Sequence, residues 1–206
     1  LEPEPEPEEG QYLYLPGIGP DTEWAYDHKI EVYYKEEQKY AGIVDVNSKY
    51  GNYAMTLFSS GNEWDTSRMY TIAKDDAAST AESGTLINGQ GDNIPAPDAG
   101  LYLFDVSLKE LTYKTYALGD NIYCYYGIEN DNSFNPIATA GEYSGTITLA
   151  TDSKWGAQFY IENAWTAFYG GSDGKLYYNG DGIMLKAGTY TITVNLIDGT
   201  YSAVQQ

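Results

Sequence analysis

From Thr189 to Leu196 polar and apolar residues alternate without a break, Tyr190, Ile192, Val194 and Leu196 being separated by Thr191, Thr193 and Asn195. A period of two predicts a strand with one buried face and one wet face. Tyr143, Ile147 and Leu149 alternate in the same way with Ser144, Thr146 and Thr148. Further strands are predicted over 12–15, 30–34, 42–46, 53–58, 102–106 and 122–126. Clusters of Gly, Asn, Asp and Ser at 47–48, 60–62, 170–174 and 179–182 supply the turns between strands. No segment carries a convincing helical period; 74–83 is read as one helical turn at most.

The pattern also repeats. Ala99-Gly100-Leu101-Tyr102 returns as Ala187-Gly188-Thr189-Tyr190, 88 positions later, and seven of the fifteen residues from Ala99 to Tyr113 are identical to their counterparts. Upstream, Gly91-Asp92-Asn93-Ile94 mirrors Gly180-Asp181-Gly182-Ile183, Gly42-Ile43-Val44 aligns with Gly145-Thr146-Ile147, and Trp64 with Trp165. Each copy is expected to close with a strand entered through a glycine turn, a short hairpin, and a last strand ending on Thr-Tyr. The predicted fold is therefore all-β: two tandem immunoglobulin-like β-sandwich domains, 11–117 and 118–206. Ahead of them residues 1–10 alternate Pro and Glu, which favours a disordered, extended and solvated acidic linker.

Charge narrows the partners. The 206 residues hold 30 Asp and Glu against 11 Lys and Arg, a formal net charge of −19. A nucleic acid needs a basic surface, so none is expected as a partner. One cysteine and one histidine preclude an intrachain disulfide, an iron–sulfur cluster and a multi-histidine metal centre. Tyrosine, at 22 residues, far exceeds phenylalanine and tryptophan. Its apolar ring and polar tip suit half-exposed sheet faces as well as sugar or protein contacts.

No catalytic constellation is legible. His28 stands in Asp27-His28-Lys29 with no serine or cysteine motif beside it, and Cys124 reads as a small buried hydrophobe in a strand. Asp131 with Asn132, or Asp173 with Asp181, offers oxygen ligands for calcium, but neither has EF-hand spacing and turn chemistry is the simpler reading. No cofactor and no metal are expected, and the chain is read as non-enzymatic. The tryptophans Trp24, Trp64, Trp155 and Trp165 lie in or beside loop-like sequence. Each has a plain alternative place in a core. Trp165 and Tyr169, four apart and running into Gly170-Gly171, are the leading candidates for an exposed platform on which a sugar ring stacks. Asn163 and Tyr160 are candidate hydrogen-bond partners, Trp155 a candidate second wall, and Trp64 a weaker candidate in the first domain.

Taken together, the opening Tyr-Leu-Tyr strand, the Trp24 loop, Gly42-Ile43-Val44, the loop from Trp165 to Gly171, the Gly-Asp-x-Ile turns and the Ala-Gly-x-Tyr closing segments resemble the tandem domains of SusE/SusF-type surface glycan-binding lipoproteins of Bacteroidetes. In that family a strand before the tryptophan loop often reads Phe-Lys-Phe; here the matching strands, Phe159-Tyr160-Ile161 and Met55-Thr56-Leu57, carry no lysine. The first domain also lacks the Tyr-Gly-Gly loop and has a longer insertion over 65–89. The resemblance implies a protein that binds a neutral oligosaccharide or polysaccharide, starch-like or other, without catalysis. It implies a lipid anchor at the outer membrane, upstream of this chain, as the sole attachment to the membrane, and an outer-membrane transporter complex as a partner. The competing expectation is a structural or adhesion protein whose domains serve as spacers or protein-binding modules.

Overall fold

The computed structural model describes residues 10–20, 24–58, 65–128, 134–138, 142–162 and 164–206, so most of the predicted linker lies outside it. The chain divides between Ala117 and Leu118 into two compact units. Both are built from strands, with three-residue 3-10 turns at Lys35–Glu37 and Thr66–Arg68.

The first unit contains β1 (Tyr12–Tyr14), β2 (Lys29–Tyr34), β3 (Lys39–Val46), β4 (Asn52–Tyr53), β5 (Met55–Thr56), β6 (Met69–Ile72), β7 (Ser83–Asn88), β8 (Ile94–Pro95), β9 (Gly100–Ser107) and β10 (Thr112–Ala117). The second contains β11 (Asn121–Tyr125), β12 (Phe134–Ala138), β13 (Glu142–Leu149), β14 (Gln158–Tyr160), β15 (Phe168–Ser172), β16 (Lys175–Tyr178), β17 (Gly188–Asn195) and β18 (Thr200–Gln205). In the first unit the strand order is β1-β2-β3-β9-β10-β7-β6-β5 and returns to β1; in the second it is β11-β12-β13-β17-β18-β16-β15-β14 and returns to β11. These are the same order, strand for strand. The repeat is visible in register too: Gly42 pairs with Phe104 in one unit, Gly145 with Ile192 in the other.

Closure corrects the expectation of immunoglobulin-like sandwiches. In each unit the main antiparallel sheet closes on itself into a barrel, in place of two large facing sheets, and in the first unit β4 and β8 form a separate two-stranded sheet. The seams are short: Tyr14 against Thr56 in the first unit, Ala138 against Ser144 and Lys175 against Thr200 in the second. Alternation specifies which face of a strand is buried, but not which strands pair at the seam, and closing the ring removes exposed edges. Two smaller expectations also change. Thr112-Tyr113 and Thr200-Tyr201 begin the last strands instead of ending them, and 74–83 forms turns, not helix. The extra length of the first unit lies largely between β6 and β7. The matching β15–β16 hairpin needs only Asp173-Gly174, both at positive φ (51° and 79°), as a tight primed turn requires.

In the longer connection Asp76 accepts from Ser79 Oγ at 2.7 Å and from the Ala78 N–H at 3.0 Å. These bonds, the Ser79 hydroxyl first, hold its carboxyl below the ordinary value of 3.8. A depressed folded-state value stabilises the turn fully above that ordinary value and loses the contribution as pH falls through the folded one. The Ala78 amide shift is expected to titrate with a midpoint below pH 3.8; a midpoint at or above it contradicts the bonding.

The alternating residues do face inward: Tyr190, Ile192 and Val194 are buried with Tyr143, Ile147, Leu149 and Phe159 in the second unit. Cys124 is fully buried there, and burial pushes its thiol pKa up. The first core is centred on Tyr53, Phe104, Ile30, Met55 and Ile94. Tyr53 meets the Phe104 ring edge-on at 5.8 Å, yet its buried hydroxyl has no hydrogen-bond partner among the described residues. Leaving such a group unpaired costs roughly 1–3 kcal/mol. Tyr53→Phe is therefore expected to raise the unfolding free energy by about 1 kcal/mol in urea titration; a loss of that size would mean that the hydroxyl is satisfied.

Candidate functional site

Strand parity sorts the candidate residues of the second unit. On β11 and β14, Cys124 lies opposite Phe159, and both are buried in the core. Their neighbours Tyr125, opposite Gln158, and Tyr123, opposite Tyr160, occupy the other face. Tyr169 on β15 pairs with Phe159 and so shares the core parity; it is 5% exposed and meets the Tyr178 ring edge-on at 5.5 Å. Tyr169 consequently cannot form the predicted platform with Trp165.

Trp165 comes out on the other side. The loop after β14 is drawn tight by backbone bonds from Ala164 N–H to Glu162 O (2.8 Å), Thr166 N–H to Ala164 O (2.8 Å) and Ile161 N–H to Ala167 O (3.1 Å). Ala167 takes a left-handed backbone (φ 44°), which returns the chain to β15 and leaves Trp165 at the loop tip. The residue is 55% exposed. Its indole meets the Tyr125 ring at 4.8 Å and 71°, and the Tyr160 ring at 5.6 Å and 85°. Edge-to-face pairs of this kind are worth roughly 0.5–1.5 kcal/mol each and restrict the ring's orientation.

Tyr160 is a support. It is 3% exposed, its hydroxyl donates to Gln158 Oε1 at 2.9 Å, and burial pushes its phenol pKa up to about 12. It therefore has little surface to offer a sugar. Trp155 is 51% exposed, with the Lys154 ammonium 5.0 Å from its ring. Its backbone N–H donates to the carbonyl of Gly127 at 3.0 Å, two residues beyond Tyr125, the tyrosine that carries Trp165. The Trp165 indole and the Trp155 backbone are thus both held near the same end of β11. Asn163 and Trp64 lie outside the described residues, as do Asp131 and Asn132.

A close backbone stack holds the Trp155 turn. A Cβ on Gly127 would overlap the backbone of Gly156, one on Gly156 the backbone of Gly182, and one on Gly182 the carbonyl of Trp155. Sequence reasoning missed Tyr125 and this glycine stack. The three glycines are far apart in the chain, and only the β11–β14 register brings the first two together.

Elsewhere, His28 Nδ1 lies 2.8 Å from Asp27 Oδ1. Trp24 stacks on Tyr50 at 6.5 Å and 15° in the first unit. Among the described residues no group of three His, Cys, Asp or Glu side chains is placed to hold a metal ion. Residues 11–117 match the model of a family described as a domain of unknown function, DUF8037. No curated protein and no solved structure matches the chain.

Proposed function

We propose, for a chain that belongs to the DUF8037 family and whose family description assigns no activity, that the second unit binds a neutral glycan without transforming it. One observation carries this reading: an indole more than half exposed is seated on the rings of two buried tyrosines. An aromatic face held in place can stack on the C–H face of a pyranose with little ordering of its own side chain, and a few polar groups beside it then select hydroxyls. Trp155 with Lys154 supplies a second exposed aromatic and a donor on the same end of β11.

The formal charge of −19 supports a neutral ligand, since uronate or sulfate polymers would be repelled. The resemblance to SusE/SusF-type proteins supports the wider proposal of an outer-membrane, lipid-anchored protein that captures polysaccharide for a neighbouring transporter. In that setting the Pro-Glu segment would be a spacer reaching about 3 Å per residue from the surface.

The test is titration of the full chain with maltohexaose, cellohexaose and mannohexaose, read by the Trp165 indole N–H resonance. Saturable shifts with dissociation constants between roughly 1 μM and 1 mM, or about −8 to −4 kcal/mol, are expected for one of them. An indole signal unmoved by all three at 10 mM would remove the platform and favour the spacer or protein-binding role.

A further inference from the structure

The outer face of the first unit carries a concavity of about 440 Å³ where β2, β3, β7, β9 and β10 lie side by side. That volume falls within the range of roughly 300–1,000 Å³ found for small-molecule sites. Tyr33, Lys39, Asp105, Glu110, Lys114 and Tyr116 line it. Asp105 and Lys114 are direct cross-strand neighbours. The Tyr33 hydroxyl donates to Asp105 Oδ1 at 3.2 Å, and the Lys114 ammonium lies 4.5 Å from the centre of the Tyr116 ring.

The repeat shows that the fold does not require this set. At the same register positions the second unit places Glu142 for Lys39, Thr193 for Asp105, Ser202 for Lys114 and Val204 for Tyr116. Both sheets nevertheless have the same strand order. A cross-strand pair of opposite charges would itself add little to the stability of the sheet. Three of the four positions thus lose their charged or aromatic side chain in the other copy, to threonine, serine and valine, and the fourth exchanges a lysine for a glutamate, so the Lys39, Asp105, Lys114 and Tyr116 set belongs to the first unit alone.

We infer that this cavity is a separate binding site for a short neutral oligosaccharide. The ligand class follows from the lining. Two ammonium groups and two carboxylates cancel, so an ion of either sign would meet repulsion as well as attraction. Lys114 already rests on a ring and Asp105 already accepts a phenol, so both are held in place as polar groups instead of standing as uncompensated charges. A sugar hydroxyl both donates and accepts, and can use Lys and Asp together. The site stands on residues other than Trp165 and in the other unit, so it does not depend on the reading of the second unit.

The experiment uses the full chain carrying Trp165→Ala, titrated with maltohexaose, cellohexaose and mannohexaose while backbone amides are followed by NMR. One hexasaccharide is expected to shift the amides of Gly84, Asp105 and Lys114 saturably. Asp105→Thr with Lys114→Ser, the residues that the second unit tolerates at these positions, is expected to weaken that binding at least tenfold with the melting temperature nearly unchanged. Tyr33→Phe, which removes only the hydroxyl on Asp105, should weaken it severalfold and keeps the question answerable if the double variant folds poorly. The inference is overturned if no hexasaccharide moves these amides at 10 mM, if the double variant or Tyr33→Phe binds as tightly as its parent, or if triglycine shifts them where the sugars do not. Loss of the Trp165 signal alone leaves this site standing, and loss of these amide shifts alone leaves the platform.

Discussion

Gly156→Ala is expected to destabilise the second unit by about 3–5 kcal/mol, lowering its melting transition by on the order of 15 °C or more. Two costs combine. Gly156 has φ +80°, where an L side chain is strained, and its Cβ would run into the backbone of Gly182. Backbone cannot swing aside as a side chain can, so the β14 turn and the segment before Ile183 must separate. Trp155 rides on that turn and would move with it. Gly51→Ala isolates the first cost, because Gly51 has φ +68° with nothing within 4 Å of its Cβ. That control should lose only about 1 kcal/mol. Calorimetry of the two variants decides it: equal small losses would mean that the three-glycine stack is loose.

Trp165→Ala carries the second large effect, on binding. On the proposed glycan-binding role, the variant is expected to lose at least tenfold in affinity for the neutral hexasaccharide that shifts the parent's indole signal, because the stacking surface is gone. Stability should fall by only about 1–3 kcal/mol, the worth of two edge-to-face contacts at a residue that is 55% exposed. Tyr160→Ala provides the contrast: at 3% exposure it should cost about 3–5 kcal/mol. Binding by Trp165→Ala at the parent's affinity, or destabilisation matching that of Tyr160→Ala, would return Trp165 to a purely structural role.

The sequence is more informative about one strand than about its neighbours. In β13 and β17 polar and apolar residues alternate cleanly, so their buried face was legible residue by residue. Strands such as β6, buried at every position over Met69–Ile72, offer no alternation and were not foreseen. The same limit applies to the platform. Trp165 and Tyr169 look equivalent as two aromatics entering a glycine pair, but Tyr169 lies in register with Phe159 and points inward, whereas Trp165 precedes the strand and sits at a loop tip. The cavity on the first unit left a trace, since Asp105 against Thr193 and Lys114 against Ser202 are visible mismatches within the repeat. Nothing in the linear order says that Tyr33 and Lys39 join them.

What the sequence alone determined is local or periodic: all-β structure from period two, tight turns from Gly, Asn and Asp, a duplicated unit from the offset of 88, and a net charge of −19. These follow from forces acting within a few residues or summed over the whole chain. Tertiary structure decided that each sheet closes through single-pair seams, that Tyr125 and Tyr160 carry Trp165, and that three distant glycines let their backbones touch. Each of these depends on which strand lies beside which, and pairing is settled by long-range packing of buried faces that many alternating sequences would satisfy equally well.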